Sequence, residues 1–169
     1  MRRHVVALAL LAAGLVCVTP AHAGFSLGTT PPASFSLTLN GSDQTVNYVP
    51  SLTINNFDPG SNSAGWNLTI TSTQFTTGSR TLPTNASTIT GVTFVCASGP
   101  CTNPTNAIAY PRSVPAGAGP PAAVKFFNAA AATGLGVFTV TPTVRVSVNG
   151  NAFAGTYTST LTLALVSGP

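Results

Sequence analysis

The amino-acid sequence predicts an all-β protein built as a single antiparallel β-sandwich of Ig-like or Greek-key type, with about seven strands. Apolar and polar residues alternate with a period of two through most of the chain, which is the pattern of strands with one buried face. Thr is frequent in these runs, as expected for half-buried strands. Turn-forming pairs such as Asn-Gly separate the runs at intervals typical of a sandwich.

The N-terminal segment has the three parts of a secretory signal peptide. Two Arg residues precede a short apolar run, and the tripeptide "AHA" supplies a small-residue cleavage site. The apolar run is too short for a membrane span and has no stop-transfer flank. A lipid anchor on Cys17 is disfavoured, because Val16 is bulkier than the residue that such processing prefers. We therefore predict a cleaved signal peptide at 1–23, one domain at 24–169, and a secreted, extracellular protein without a transmembrane anchor.

The first half of the domain contains four segments whose apolar residues share one face. Their predicted inward residues are Phe35, Leu37, Leu39, Val46, Tyr48, Leu52, Ile54, Trp66, Leu68 and Ile70. Thr69, Thr71 and Thr73 alternate with the last three and are predicted to face solvent. Phe75 is out of phase with this strand, which indicates a bulge or a strand end.

The second half repeats the alternation in longer runs. Its predicted inward residues are Val92, Phe94, Cys96, Phe138, Val140, Val144, Val146, Val148, Tyr157, Leu161, Leu163 and Leu165. The pair Asn149-Gly150 stands between the last two runs and predicts a turn that joins them as a β-hairpin.

One stretch, 115–136, departs from strand character. It begins with a Pro- and Gly-rich segment, continues as "AAVKFFNAAAA", and ends at a Gly. Pro before and Gly after such a run are usual at the ends of a helix. We expect a short helical or irregular insertion here, and an extended "KFF" segment is the open alternative.

The residues that remain after cleavage offer little chemistry for catalysis. Both His residues lie in the predicted leader, the chain has no Glu, and its only acids are Asp43 and Asp58. Both acids stand in turn sequences, where Asp bonds to nearby backbone groups. Hydrolytic mechanisms need a His, a paired carboxylate or a metal, so we predict no enzymatic activity, no cofactor and no metal site. The four remaining bases are scattered, which predicts no binding to nucleic acid.

Cys96 and Cys101 flank the turn sequence "ASGP". In an exported chain, two cysteines at this spacing predict a disulfide. The two-residue spacer of redox-active thioredoxin-like sites is absent, so we expect the bond to be structural.

Several segments, in order, resemble the WxL family of bacterial surface proteins. The segments are "SLTINNF", "NNFDPGSNSAGWNLTITSTQFT", "VKFFNAAAATGLGVFTVTPTVRVSV" and the closing "GTYTSTLTLALVSGP". The first motif is Trp66-Asn67-Leu68, and the second departs from the family because Leu163 stands where a Trp is expected, followed by Leu165. The resemblance implies a domain that attaches non-covalently to the cell wall, with peptidoglycan as ligand.

The resemblance makes Trp66, Leu68, Tyr157, Leu163 and Leu165 the candidate ligand-binding residues. The alternation gives a second interpretation, in which Trp66 and Tyr157 face inward and pack in the core, and for these two we favour packing. The function expected is therefore wall association of a non-catalytic surface protein, with other envelope polysaccharides or surface proteins as further partners. Two alternatives stay open: a self-assembling fimbrial or coat subunit, and a soluble carbohydrate-binding module.

Overall fold

A computed structural model describes residues 5–8, 24–32, 34–57 and 64–168, and these form fourteen β-strands. In chain order the strands are β1 (Val5–Leu8), β2 (Phe25–Thr30), β3 (Phe35–Thr38), β4 (Gln44–Tyr48), β5 (Ser51–Asn56), β6 (Trp66–Thr73), β7 (Thr76–Thr77), β8 (Arg80–Thr81), β9 (Ser87–Thr102), β10 (Arg112–Ser113), β11 (Ala116–Gly117), β12 (Val124–Ala129), β13 (Leu135–Val148) and β14 (Leu161–Ser167). The predicted all-β class and antiparallel sheets are confirmed.

The larger sheet is organised around the long strand β13. Its order is β10-β9-β13-β5-β2, and β4 pairs with β13 beside β5. One half of β13 pairs with β5 and the other half with β4, while β9 runs along its opposite edge. Across this sheet Phe138 is opposite Ile54, and Val140 is opposite Leu52 and Phe94. These inward rows follow the predicted alternation, but the inward prediction for Cys96 is wrong, because this residue is exposed near the end of β9.

The smaller sheet is organised around β6. β14 pairs antiparallel with one edge of β6, while β12 (antiparallel) and the short β11 (parallel) pair with the other edge. Leu68 thus lies between Leu165 and Phe127. β6 ends at Thr73, as the phase of Phe75 predicted.

Aromatic rings join the two sheets. Phe94 of the larger sheet lies 5.9 Å from Phe127 of the smaller sheet, centroid to centroid, and Phe127 lies 5.8 Å from Trp66. Phe94 also meets Phe138 edge-on at 6.2 Å. Tilted contacts of this kind are the favourable geometry for aromatic pairs, so aromatic packing holds the two sheets together.

The outer face of the smaller sheet is covered, and the predicted exposure of Thr71 is wrong. The Thr71 hydroxyl is buried and donates a hydrogen bond to the Pro121 carbonyl at 2.8 Å. The chain preceding β12 also docks through Tyr110, whose hydroxyl donates to the Phe126 carbonyl at 2.6 Å. Burial raises the pKa of Tyr110 to about 12, against a lowering hydrogen bond from Asn106, so the phenol stays a donor at neutral pH.

The predicted hairpin between the last two strands is wrong. β13 belongs to the larger sheet and β14 to the smaller one, so the intervening chain crosses between sheets. The turn at Asn149 is real, because the Ala152 N–H donates to the Asn149 carbonyl at 2.9 Å. The Gly150 N–H, however, donates to the Asp43 carboxylate at 2.8 Å, which ties this turn to the β3–β4 connection.

The helical expectation within 115–136 is also wrong. Residues Val124–Ala129 form β12, and a register shift between Lys125 and Phe127 lets Phe126 and Phe127 both be buried. The open alternative, an extended "KFF" segment, is the correct one, because pairing with β6 overrides the local Ala-rich preference. The part of this stretch that precedes β12 is irregular apart from β11.

One strand falls within the predicted leader. The backbone of β1 pairs antiparallel with β3, from Val5 opposite Thr38 to Leu8 opposite Phe35. The other leader residues and Asp58 lie outside the described residues, so the signal peptide and the turn role of Asp58 stay predictions.

Candidate functional site

The five residues predicted to contact a ligand all lie in the core between the sheets. Trp66 and Leu68 have no exposed surface, and the other three are 1% exposed; these are Tyr157, Leu163 and Leu165. A polysaccharide would reach their side chains only if the sheets separated. Their burial supports the packing interpretation, and ligand contact by them stays an untested prediction.

Trp66 closes one end of the sandwich. Its indole N–H donates to the Gly134 carbonyl at 3.0 Å, and the same carbonyl accepts from the Asn56 side chain at 2.9 Å. Gly134 has φ +74°, and a Cβ there would lie 2.5 Å from the indole nitrogen. Only a glycine at position 134 therefore leaves room for the indole to reach this carbonyl. The polar edge of Trp66 is satisfied within the protein.

Leu163 occupies the position where the family resemblance expects a second Trp. It is opposite Ile70 in the smaller sheet and is buried with it. Tyr157, another candidate, donates its hydroxyl to the Phe153 carbonyl at 3.2 Å. Unlike the other candidates, Tyr157 borders a surface cleft.

The cleft beside Tyr157 is lined largely by polar residues, and we call it the Arg80–Phe153 cleft. It has a volume of about 460 Å³ and lies between the β7–β8 hairpin and the chain that follows β13. Its lining residues are Gln74, Ser79, Arg80, Thr81, Leu82, Pro83, Asn149, Asn151, Ala152, Phe153 and Tyr157.

Backbone hydrogen bonds hold the two walls of this cleft together. The backbones of Thr76 and Thr158 exchange two hydrogen bonds of 2.9 Å, which fix the loop to the hairpin. Gly155 permits the close approach, because a Cβ there would lie 2.9 Å from the Thr77 hydroxyl oxygen. The cleft is therefore built on paired backbone, which preserves its shape without a ligand.

A cation and an aromatic ring form the mouth of the cleft. The guanidinium carbon of Arg80 lies 3.7 Å from the centroid of the Phe153 ring, and Phe153 is 53% exposed. This is cation–π geometry. The lining contains no Asp or Glu, so Arg80 is its only ionised side chain. The side chains of Asn149 and Asn151 make no hydrogen bond within the described part of the chain, which leaves their amides available.

A second cleft adjoins the first, but more of its polar groups already form hydrogen bonds within the protein. Its volume is about 340 Å³, and its lining shares Gln74 with the first cleft. The hydroxyls that line it are partly used: Ser159 donates to the Thr73 carbonyl at 2.6 Å, and the Thr73 hydroxyl accepts from the Thr160 N–H at 2.8 Å. The Arg80–Phe153 cleft is therefore the stronger candidate.

Sequence reasoning did not find this cleft. Arg80 counted only as one of four scattered bases, and Phe153 stood in a segment interpreted as a hairpin turn. The sequence contained one signal for this cleft, the segment "NGNAFAG". In it Phe153 comes shortly after the turn-forming residues 149–151 and belongs to no alternating run. An unpaired aromatic in such a loop indicates either a plug or a surface contact.

The predicted disulfide is present. Cys96 and Cys101 are bonded and close a loop at the far end of β9. The loop packs so closely on β13 that a Cβ at Gly136 would lie 2.7 Å from the Cys101 sulfur. The bond fits an oxidising, extracellular environment.

We expect loss of this disulfide to lower the free energy of unfolding by about 2 kcal/mol, because the closed loop is short and restricts the unfolded chain only modestly. Urea unfolding of the wild type and of the C96S/C101S double variant measures the difference. Equal midpoints and slopes for the two proteins would contradict a stabilising role.

Within residues 5–8, 24–32, 34–57 and 64–168, no helix is long and apolar enough to cross a membrane. In the same part of the chain, no three His, Cys, Asp or Glu side chains come together in a group able to hold a metal ion.

Comparisons with known proteins returned no match for this chain, neither to a protein family, nor to a curated protein, nor to a solved structure.

Proposed function

We propose that this chain is a secreted, non-catalytic bacterial surface protein that binds a polysaccharide of the cell envelope, with peptidoglycan as the expected ligand. The observation that carries the proposal is the half-exposed Phe153 ring with the Arg80 guanidinium over it, at the mouth of a cleft that the amide side chains of Asn149 and Asn151 also line. An aromatic face packs against the apolar face of a sugar ring, while amides and hydroxyls bind its hydroxyl groups. The WxL-like segments support the choice of wall polysaccharide.

The proposal places the ligand contact in the Arg80–Phe153 cleft and gives Trp66 a structural role. A cleft lined by a few placed polar groups around an apolar surface is the usual form of a small-molecule or oligosaccharide site. The buried Trp66 then affects ligand binding only indirectly, because β6 continues into the hairpin that carries Arg80.

The test is cosedimentation of purified protein with isolated peptidoglycan sacculi. We expect the wild type to sediment and F153A to bind at least tenfold more weakly, a loss of about 1.4 kcal/mol, because the stacking surface is gone. F57A is the matched control: Phe57 is also exposed, at 43%, but lies by the disulfide loop at the other end of the larger sheet. The proposal is wrong if the wild type stays in the supernatant or if both variants lose binding equally.

A second candidate function, a self-assembling surface subunit, is favoured by the pairing of β3. Its strand partner among the described residues is β1, which lies in the predicted leader. Removal of the leader would leave Phe35–Thr38 free to add to the sheet of another copy. Size-exclusion chromatography of the processed protein separates the two functions, since an assembling subunit elutes as polymers and a wall-binding protein as a monomer.

A further inference from the structure

We infer that the polysaccharide held by the Arg80–Phe153 cleft is anionic, and that Arg80 receives one of its carboxylate or phosphate groups. This inference rests on the proposed function and specifies the class of ligand. It starts from the charge of the site: Arg80 is the only ionised side chain among the lining residues. A positive site without a nearby carboxylate in its lining favours ligands that bring their own negative charge.

The one acidic side chain among the described residues already accepts a hydrogen bond. The Asp43 carboxylate accepts the Gly150 N–H at 2.8 Å, at the turn that precedes the cleft. Arg80 makes no salt bridge within the part of the chain that the structure describes. Its charge is therefore available to an external partner.

Arg80 lies against Phe153 and is exposed to an external partner. Its guanidinium carbon lies over the ring, 3.7 Å from the centroid, and the N–H donors of a guanidinium project from the edges of its plane. A planar set of donors matches the two oxygens of a carboxylate or phosphate. Both groups are held by fixed backbone, because Arg80 pairs with Thr77 in the hairpin and the Phe153 carbonyl accepts the Tyr157 hydroxyl.

The remaining lining groups explain why the ligand is a charged sugar rather than a simple anion. Asn149 and Asn151 supply neutral amides, and the exposed Phe153 ring supplies an apolar surface. A small inorganic anion would leave the apolar surface of the Phe153 ring unused. A sugar that carries an acidic substituent uses all three kinds of group at once.

The test compares two probes with the same sugar backbone. Peptidoglycan glycan strands stripped of their peptides carry a free carboxylate on every second sugar, whereas chitin oligosaccharides of equal length are neutral. We expect the wild type to bind the carboxylated strands at least tenfold more tightly by calorimetry, with the difference shrinking as salt is raised. Purified wall teichoic acid is the third probe, and it reports whether phosphate replaces carboxylate as the preferred anion.

Three variants test whether Arg80 is the residue that gives the preference for anionic probes. R80Q should lose at least tenfold in affinity for the anionic probe and keep the affinity for the neutral one, while R80K should retain part of the preference through its charge. R145Q is the matched control, because Arg145 is an exposed arginine on β13 outside the cleft lining. The inference is overturned if the wild type binds the neutral and both anionic probes equally, or if R80Q and R145Q behave alike. Binding of no glycan at all overturns the proposed function and this inference together.

Discussion

Replacing Trp66 by Ala is expected to lower the free energy of unfolding by about 3–5 kcal/mol. The ring is fully buried, contacts Phe127, and donates to the Gly134 carbonyl. Removing it leaves a large cavity at the end of the sandwich and takes one of two side-chain donors from that carbonyl. A loss of this size is a large part of the stability of a typical domain.

Urea unfolding followed by far-UV circular dichroism measures this effect, since the variant has no Trp left for fluorescence. W66F is the graded control: it keeps an aromatic ring in the core and loses the hydrogen bond, so we expect a smaller loss of about 1–2 kcal/mol. A W66A protein as stable as the wild type would show that Trp66 is not part of the core.

Replacing Gly134 by Ala is expected to destabilise the protein by about 3 kcal/mol or more. A residue with a side chain at φ +74° costs about 1–2 kcal/mol, and overpacking adds about 1–3 kcal/mol. The overlap is severe, because the new Cβ would lie 2.5 Å from the Trp66 indole nitrogen and 2.6 Å from the Ala129 Cβ.

G41A separates the two contributions to this effect. Gly41 has φ +83°, but a Cβ there meets no atom within 4 Å, so G41A should show the backbone cost alone. Chemical unfolding of both variants gives the comparison. Equal destabilisation by G134A and G41A would mean that the close contact between Gly134 and Trp66 does not exist in solution.

The strand content and the inward rows could be predicted from the sequence because both depend on local alternation. Phe138, Val140 and Val144 are fully buried, as their spacing requires once one face of β13 meets the core. The same signal identifies the inward face of β14 correctly. Local alternation says nothing, however, about which strand lies beside which.

The errors have one physical origin, the pairing of segments that are distant in sequence. β14 pairs with β6 and not with β13, so that Leu163 and Leu165 lie beside Ile70 and Leu68 on the inward face of the smaller sheet. The segment Val124–Ala129 becomes a strand because β6 offers it an edge. Thr71 is buried for the same reason, since chain from elsewhere covers the outer face.

The cleft was beyond prediction for a related reason. Arg80 and Phe153 are far apart in the chain and meet only because the Thr76–Thr158 pairing joins the hairpin to the loop. Neither residue belongs to an alternating run, and one Arg and one Phe in turn sequences have no motif. The WxL-like motif predicted Trp66 and Leu68 as contact residues instead, and both are buried.

The most direct test of the central claim is an NMR titration of isotopically labelled protein with peptidoglycan glycan strands. The described chain contains a single Trp, so one indole N–H signal reports on Trp66. We expect the amide signals of residues 79–82 and 149–153 to shift progressively until the site is saturated, while the indole signal stays in place. A moving indole signal with unchanged signals from the cleft would contradict the assignment of binding to Arg80 and Phe153.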